Sequence, residues 1–131
     1  MPRTLHRAFD LVPDVGEAIE IAIACGFERI LTSGRAVSVS TGLGELERLI
    51  ELANGRISIM PGGGVSLDTV DGIMAALDVG ELHSSCSSTL DVTDPAIIAF
   101  GFSGSQIRHT DADVVRALKQ RLLADGSTPD R

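Results

Sequence analysis

Short apolar runs alternate with amphipathic stretches along most of this chain. The runs Thr4–Asp10, Glu28–Thr32, Arg56–Met60 and Glu81–His83 have the length and content of strands covered on both faces. After the first, Pro13-Asp14 opens a stretch in which Val15, Ala18, Ile19, Ala22 and Ile23 recur at helical spacing, closed by Gly26. Leu43, Leu46, Leu49, Ile50 and Ala53 make the stripe of a second helix, Thr41–Ala53, which Asn54-Gly55 ends. A third helix is expected from a Ser66 cap through Leu77, with Asp68 and Asp71 near its favourable first turn.

The pattern weakens after the fourth run. Ser84 to Thr110 is rich in Ser, Gly, Asp and Thr and reads as a long loop, interrupted by a short helix over Pro95–Phe100. A last helix begins at an Asp111 cap and carries Val114, Val115, Leu118, Leu122 and Leu123. Regularly spaced strand–helix units predict an α/β fold of parallel βα units with right-handed crossovers, in one domain over 1–124, followed by a frayed tail over 125–131. Four such units amount to half of a TIM (β/α)8 barrel, since a closed barrel takes about eight strands and about 250 residues.

Composition narrows the class. Of 131 residues 44% are hydrophobic, yet Trp and Tyr are absent, so Val, Ile, Leu and Ala make the core. A net charge of −7 without any basic run argues against nucleic acid or an anionic membrane as partner. No apolar run approaches the roughly 20 residues of a membrane span, and no signal-peptide pattern opens the chain. The two cysteines, Cys25 and Cys86, have neither disulfide-framework nor metal-cluster spacing, which points to a cytoplasmic protein without a metal site in this chain.

Candidate chemistry gathers after each strand, where parallel α/β folds place their sites. His6, Arg7 and Asp10 follow the first run. If both neighbours lie in the strand, His6 and Arg7 face opposite ways, leaving His6 as a general acid/base and Arg7 to pair with Asp10. Thr32-Ser33 follows the second. Pro61-Gly62-Gly63-Gly64-Val65-Ser66 follows the third, and its glycines let backbone N–H groups approach an anion at a helix start. His83-Ser84-Ser85 follows the fourth, His83 as a proton donor and Ser84 and Ser85 as hydrogen-bond donors. The expected catalytic set is therefore His6, Arg7, Asp10 and His83, and the expected anion-binding set Thr32, Ser33, Gly62, Gly63, Gly64, Ser84 and Ser85. For every one of these a structural reading competes: an Arg–Asp pair with a satisfied histidine, or plain glycine turns. Cys25 reads as core and His109 as solvated.

Taken together, His6-Arg7-Ala8-Phe9-Asp10, Arg29-Ile30-Leu31-Thr32-Ser33-Gly34, Ile59-Met60-Pro61-Gly62-Gly63-Gly64-Val65 and Glu81-Leu82-His83-Ser84-Ser85 resemble, in order and spacing, the carboxyl-terminal half of the copper homeostasis protein CutC family. That resemblance implies a TIM barrel of which this chain supplies strands five to eight. It also implies a role in copper homeostasis, with Cu(I) as the possible cofactor or cargo. Copper binding in the family has been linked to amino-terminal cysteines, which have no counterpart here. A half barrel has open edges, so a homodimer or a second half-barrel chain is the expected partner, beside a small anionic, possibly phosphorylated, ligand. The competing arrangement is an open sheet whose free face the Ser84–Thr110 loop covers.

Overall fold

Three of the four expected strands form one parallel sheet in the computed structural model, which describes residues 1–125. They are β1 (Thr4–Leu5), β2 (Arg29–Thr32) and β3 (Ser58–Pro61), adjacent in that order. Thr4 pairs with Arg29, Leu5 with Ile30, Ile30 with Ile59 and Thr32 with Pro61. Helix α1 (Val15–Ala24) follows β1, α2 (Leu43–Ala53) follows β2 and α3 (Val70–Ala76) follows β3.

The helix limits have local causes. The Asp14 carboxylate accepts the Glu17 N–H and so caps α1. Gly26, at φ +76°, stops that helix. Asn54 ends α2 in the left-handed conformation. Strand alternation then sorts the sheet. Ile30 and Ile59 are buried in a core with Ile19 and Ala22 of α1 and Leu46 and Leu49 of α2. Arg29, Leu31, Ser58 and Met60 point to the other face and are half-buried.

The chain packs as two compact units, Met1–Ser84 and a second from Ser85 onward. Within the second, β4 (Ser87–Asp91) and β5 (Gln106–Thr110) pair antiparallel, Ser88 opposite His109 and Leu90 opposite Ile107. The short α4 (Pro95–Ala99) lies between them in sequence, capped by Asp94, and α5 (Ala112–Ala124) follows with Asp111 as its cap.

Several sequence expectations need correction. The first strand stops at Leu5, because His6 caps a 3₁₀ turn, Arg7–Leu11, with Nδ1 accepting the Ala8 N–H at 3.0 Å. The period-two argument that set His6 against Arg7 therefore has no strand to act on. A fourth βα unit is not seen among the described residues: Glu81–His83 contributes one parallel bridge, Gly62 to His83, and no strand. The long loop contains a hairpin, while its expected short helix is present as α4. Ser66 opens a turn rather than the helix, its carbonyl accepting the Val70 N–H at 2.9 Å. Cys25 is exposed, since it lies past the end of α1 as its C-cap, off the helix face that packs on the core. His109 is half-buried in β5, its Nδ1 shielded and without a partner among the described residues. Of the tail expected to fray over 125–131, all but Asp125 lies outside the described residues.

Candidate functional site

The 3₁₀ turn after β1 carries the centre of the site. Phe9, 1% exposed, anchors this turn in the core, which leaves Arg7 and Asp10 projecting over the carboxyl ends of the strands. The Asp10 carboxylate accepts the Arg7 Nε–H (3.0 Å), the Thr32 hydroxyl (2.5 Å), the Ser33 N–H (3.3 Å) and the Arg35 N–H (3.2 Å). Burial opposes its ionisation. The bonds from Thr32, Arg7, Ser33 and Arg35 outweigh that cost, and the carboxyl stays below the ordinary aspartate value. A carboxylate so engaged anchors the loop after β2.

Arg7 is oriented in turn. Its Nη2 donates to Ser33 Oγ at 2.6 Å and to the Ala36 carbonyl at 3.3 Å, and Ser33 Oγ donates to the same carbonyl at 2.6 Å. Its Nη1 makes no hydrogen bond among the described residues and lies against the glycine turn: a Cβ on Gly63 would come within 3.0 Å of it. That turn is held by the Gly62 N–H and by the carbonyls of Gly63 and Gly64. Gly62 N–H donates to Thr32 (3.0 Å), Val39 N–H to the Gly63 carbonyl (2.9 Å) and Thr69 Oγ1 to the Gly64 carbonyl (2.8 Å). The N–H groups of Gly63 and Gly64 bond to nothing among the described residues. Gly63 and Gly64, at φ +112° and +78°, adopt a backbone that side-chain-bearing residues rarely enter.

On the other side of the turn, a Cβ on Gly62 would press on the Leu31 methyl and on His83 Cβ, so His83 sits directly beside the glycines. The His83 side chain is exposed and its N–H donates to the Pro61 carbonyl at 2.9 Å. Ser84 Oγ donates to the Val65 carbonyl at 2.7 Å.

The structure thus brings Arg7, Asp10, Thr32, Ser33 and Gly63 together, with Gly62, Gly64, His83 and Ser84 around the same turn. His6 is occupied as a cap, and Ser85 falls in the second unit, where its Oγ lies 3.1 Å from that of Ser87. Sequence reasoning missed a second polar group at the opposite ends of the strands. Arg29 meets Glu81 through two bonds of 3.0 and 2.8 Å, Ser58 Oγ donates to Glu81 at 2.9 Å, and the hydrogen bond from Arg29, against a smaller cost of burial, holds the Glu81 carboxyl below its ordinary range. The available signal was opposite charge at the start of two apolar runs, Arg29 in the second and Glu81 in the fourth.

Among the described residues no three His, Cys, Asp or Glu side chains gather as a group able to hold a metal. Nor is any described helix long and apolar enough to cross a membrane.

Comparison with known proteins agrees with the resemblance read from the sequence. The family model described as CutC family matches residues 1–88. A CutC family protein of Rhizobium meliloti is 52% identical over 124 residues, covering 95% of this chain and 51% of that protein. The human protein named copper homeostasis protein cutC homolog is 46% identical over 91 residues, covering 70% of this chain and 33% of its own. A crystal structure of a protein described as a copper homeostasis protein CutC, from Streptococcus agalactiae, superposes with a TM-score of 0.60 at 34% identity, over 63% of this chain and 41% of that one. The chain spans about half the length of the bacterial relatives it matches.

Proposed function

The chain belongs to the CutC family, and on that premise we propose that it serves copper homeostasis through a pocket for a small anion, rather than through a Cu(I) site of its own. The copper role is carried by the names of relatives such as the human and mouse proteins. The ligand reading is carried by one observation: Arg7 is fixed by Asp10 and Ser33 so that Nη1 lies against Gly63, whose N–H, like that of Gly64, bonds to nothing among the described residues. A guanidinium and two backbone donors at the end of a parallel sheet suit a carboxylate or a phosphate. Thr32, Ser33, Gly62 and Ser84 shape this pocket, and His83 is its candidate proton donor.

The residues of this chain do not fit a soft-metal site. Such sites draw on several thiolates or thioethers, whereas the chain has two cysteines, Cys25 and Cys86, and neither belongs to a group of three or more metal-ligating side chains among the described residues. The βα arrangement is read as part of a (β/α)8 barrel. A cytoplasmic location is part of this reading and rests on two cysteines without framework spacing.

Calorimetric titration with inorganic phosphate, and with Cu(I) against a competing chelator, tests the proposal. Phosphate is expected to bind in the millimolar range, about −4 kcal/mol, and Arg7→Met to weaken it at least about tenfold, the share of one charge-assisted bond. Cu(I) is expected to stay with the chelator. Phosphate binding indifferent to Arg7→Met, or Cu(I) retained where phosphate is not, overturns it.

A further inference from the structure

On the premise of the small-anion pocket proposed above, we infer that Arg35 is its second cation. The ligand then carries two linked anionic groups, one held by Arg7 and the glycine turn and the other by Arg35. The first sign is an unmatched charge. Six arginines and no lysine lie between Met1 and Ser84. Arg3, Arg7, Arg29, Arg48 and Arg56 each donate to a carbonyl or carboxylate of that unit. The Arg35 side chain is exposed and makes no hydrogen bond or ion pair among the described residues.

The second is placement. Arg35 stands in the loop after β2. Its N–H donates to Asp10 at 3.2 Å, and the carbonyl of Ala36, next to it, accepts from Arg7 Nη2 at 3.3 Å. Further along the loop, the Val39 N–H donates to the Gly63 carbonyl at 2.9 Å. Ser38 lies against Gly64, where an added Cβ would come within 3.0 Å of Ser38 Cβ. The loop therefore touches both parts of the pocket, Arg7 and the glycine turn, and Arg35 is set between these contacts. The base of the loop is tight, since a Cβ on Gly34 would press on the Gly42 carbonyl.

The third is a misfit between backbone and residue type. Arg35 has φ +57°, directly after Gly34 at +73°. That backbone aims the Arg35 N–H at Asp10. Glycine adopts it readily, whereas a residue with a Cβ meets a steric cost. Asn54 shares the conformation, but asparagine tolerates it and there ends α2. Cys86, the other non-glycine residue with positive φ, belongs to the second unit. The fold uses the backbone of position 35 and no part of its side chain among the described residues. Strain of this kind gathers at ligand clamps. Arg7 and two backbone N–H groups already suit one anionic group, so a further guanidinium on the same loop matches a second.

Calorimetric titration of the full chain with inorganic phosphate, pyrophosphate and tripolyphosphate, at about 0.15 M salt and without divalent cations, provides the test. One of the two longer anions is expected to bind at least about tenfold more tightly than phosphate, the share of one further charge-assisted contact. Arg35→Gly, which suits the backbone at φ +57°, is expected to keep the helical signal and to lose that advantage. Arg48→Gln, which removes an exposed charge of α2, is expected to keep it. Should Arg35→Gly not fold, Arg35→Asn, which also tolerates this backbone, takes its place. Phosphate bound through Arg7 but no tighter binding of either longer anion overturns the inference and leaves the pocket standing. So does an advantage that survives the loss of Arg35, or one lost equally in Arg48→Gln. Phosphate that fails to bind overturns the pocket itself, and the role of Arg35 with it.

Discussion

Asp10 and Arg7 divide one task between them. The carboxylate accepts from four residues, Arg7, Thr32, Ser33 and Arg35, and fixes the loop after β2, and the guanidinium, steered by that carboxylate and by Ser33, keeps one terminal nitrogen toward Gly63. Asp10→Asn keeps the shape but sets an amide N–H₂ among donors. It is expected to lower stability by about 2–3 kcal/mol at pH 7, the range for bonds to a charged group. Because the folded pKa is depressed, the advantage of the carboxylate is fully present above the unfolded value of about 4 and fades as pH falls through the lower folded value. Urea midpoints of both proteins at pH 7 and pH 3 check this, with the gap narrowing at pH 3. The Arg7–Asp10 pair was legible from its spacing of three residues. Its other partners were not, because Thr32 and Ser33 are distant in sequence and only the paired strands bring them over the turn.

The elements differ in how much of their own stability they carry. β2 and β3 have neighbours, alternating burial and two covering helices, and the apolar pattern located them within a residue or two. Glu81–His83 has an apolar pattern of one residue, Leu82, and a neighbour on one side, so it settles as a bridged segment. What holds it is the Glu81 carboxylate, bound by Arg29 and Ser58. Glu81→Gln is expected to speed exchange of the His83 N–H about tenfold, corresponding to one weakened charge-assisted contact through local opening. An exchange rate equal to that of the unaltered chain counts against the clamp. The hairpin of β4 and β5 was missed for a related reason. Ser87–Asp91 and Gln106–Thr110 are mostly exposed and polar, so they lack the alternation by which a half-buried strand announces itself. The caps at Asp14, Asn54 and Asp111 were legible, since each acts through the backbone of its own next few residues.

At the scale of the molecule, the parallel α/β character followed from periodicity, while the division at Ser84 and Ser85 did not, because the Ser-rich stretch that begins there reads equally as a long loop within one domain. The central claim is that Arg7 and the glycine turn together recognise an anion. The most direct measurement is a phosphate titration of isotope-labelled protein followed through the backbone amide resonances. The Gly63 and Gly64 signals are expected to shift progressively in the unaltered chain and to stay in place in Arg7→Met. Shifts at Gly63 and Gly64 that persist without Arg7, or none in the unaltered chain at tens of millimolar phosphate, contradict it.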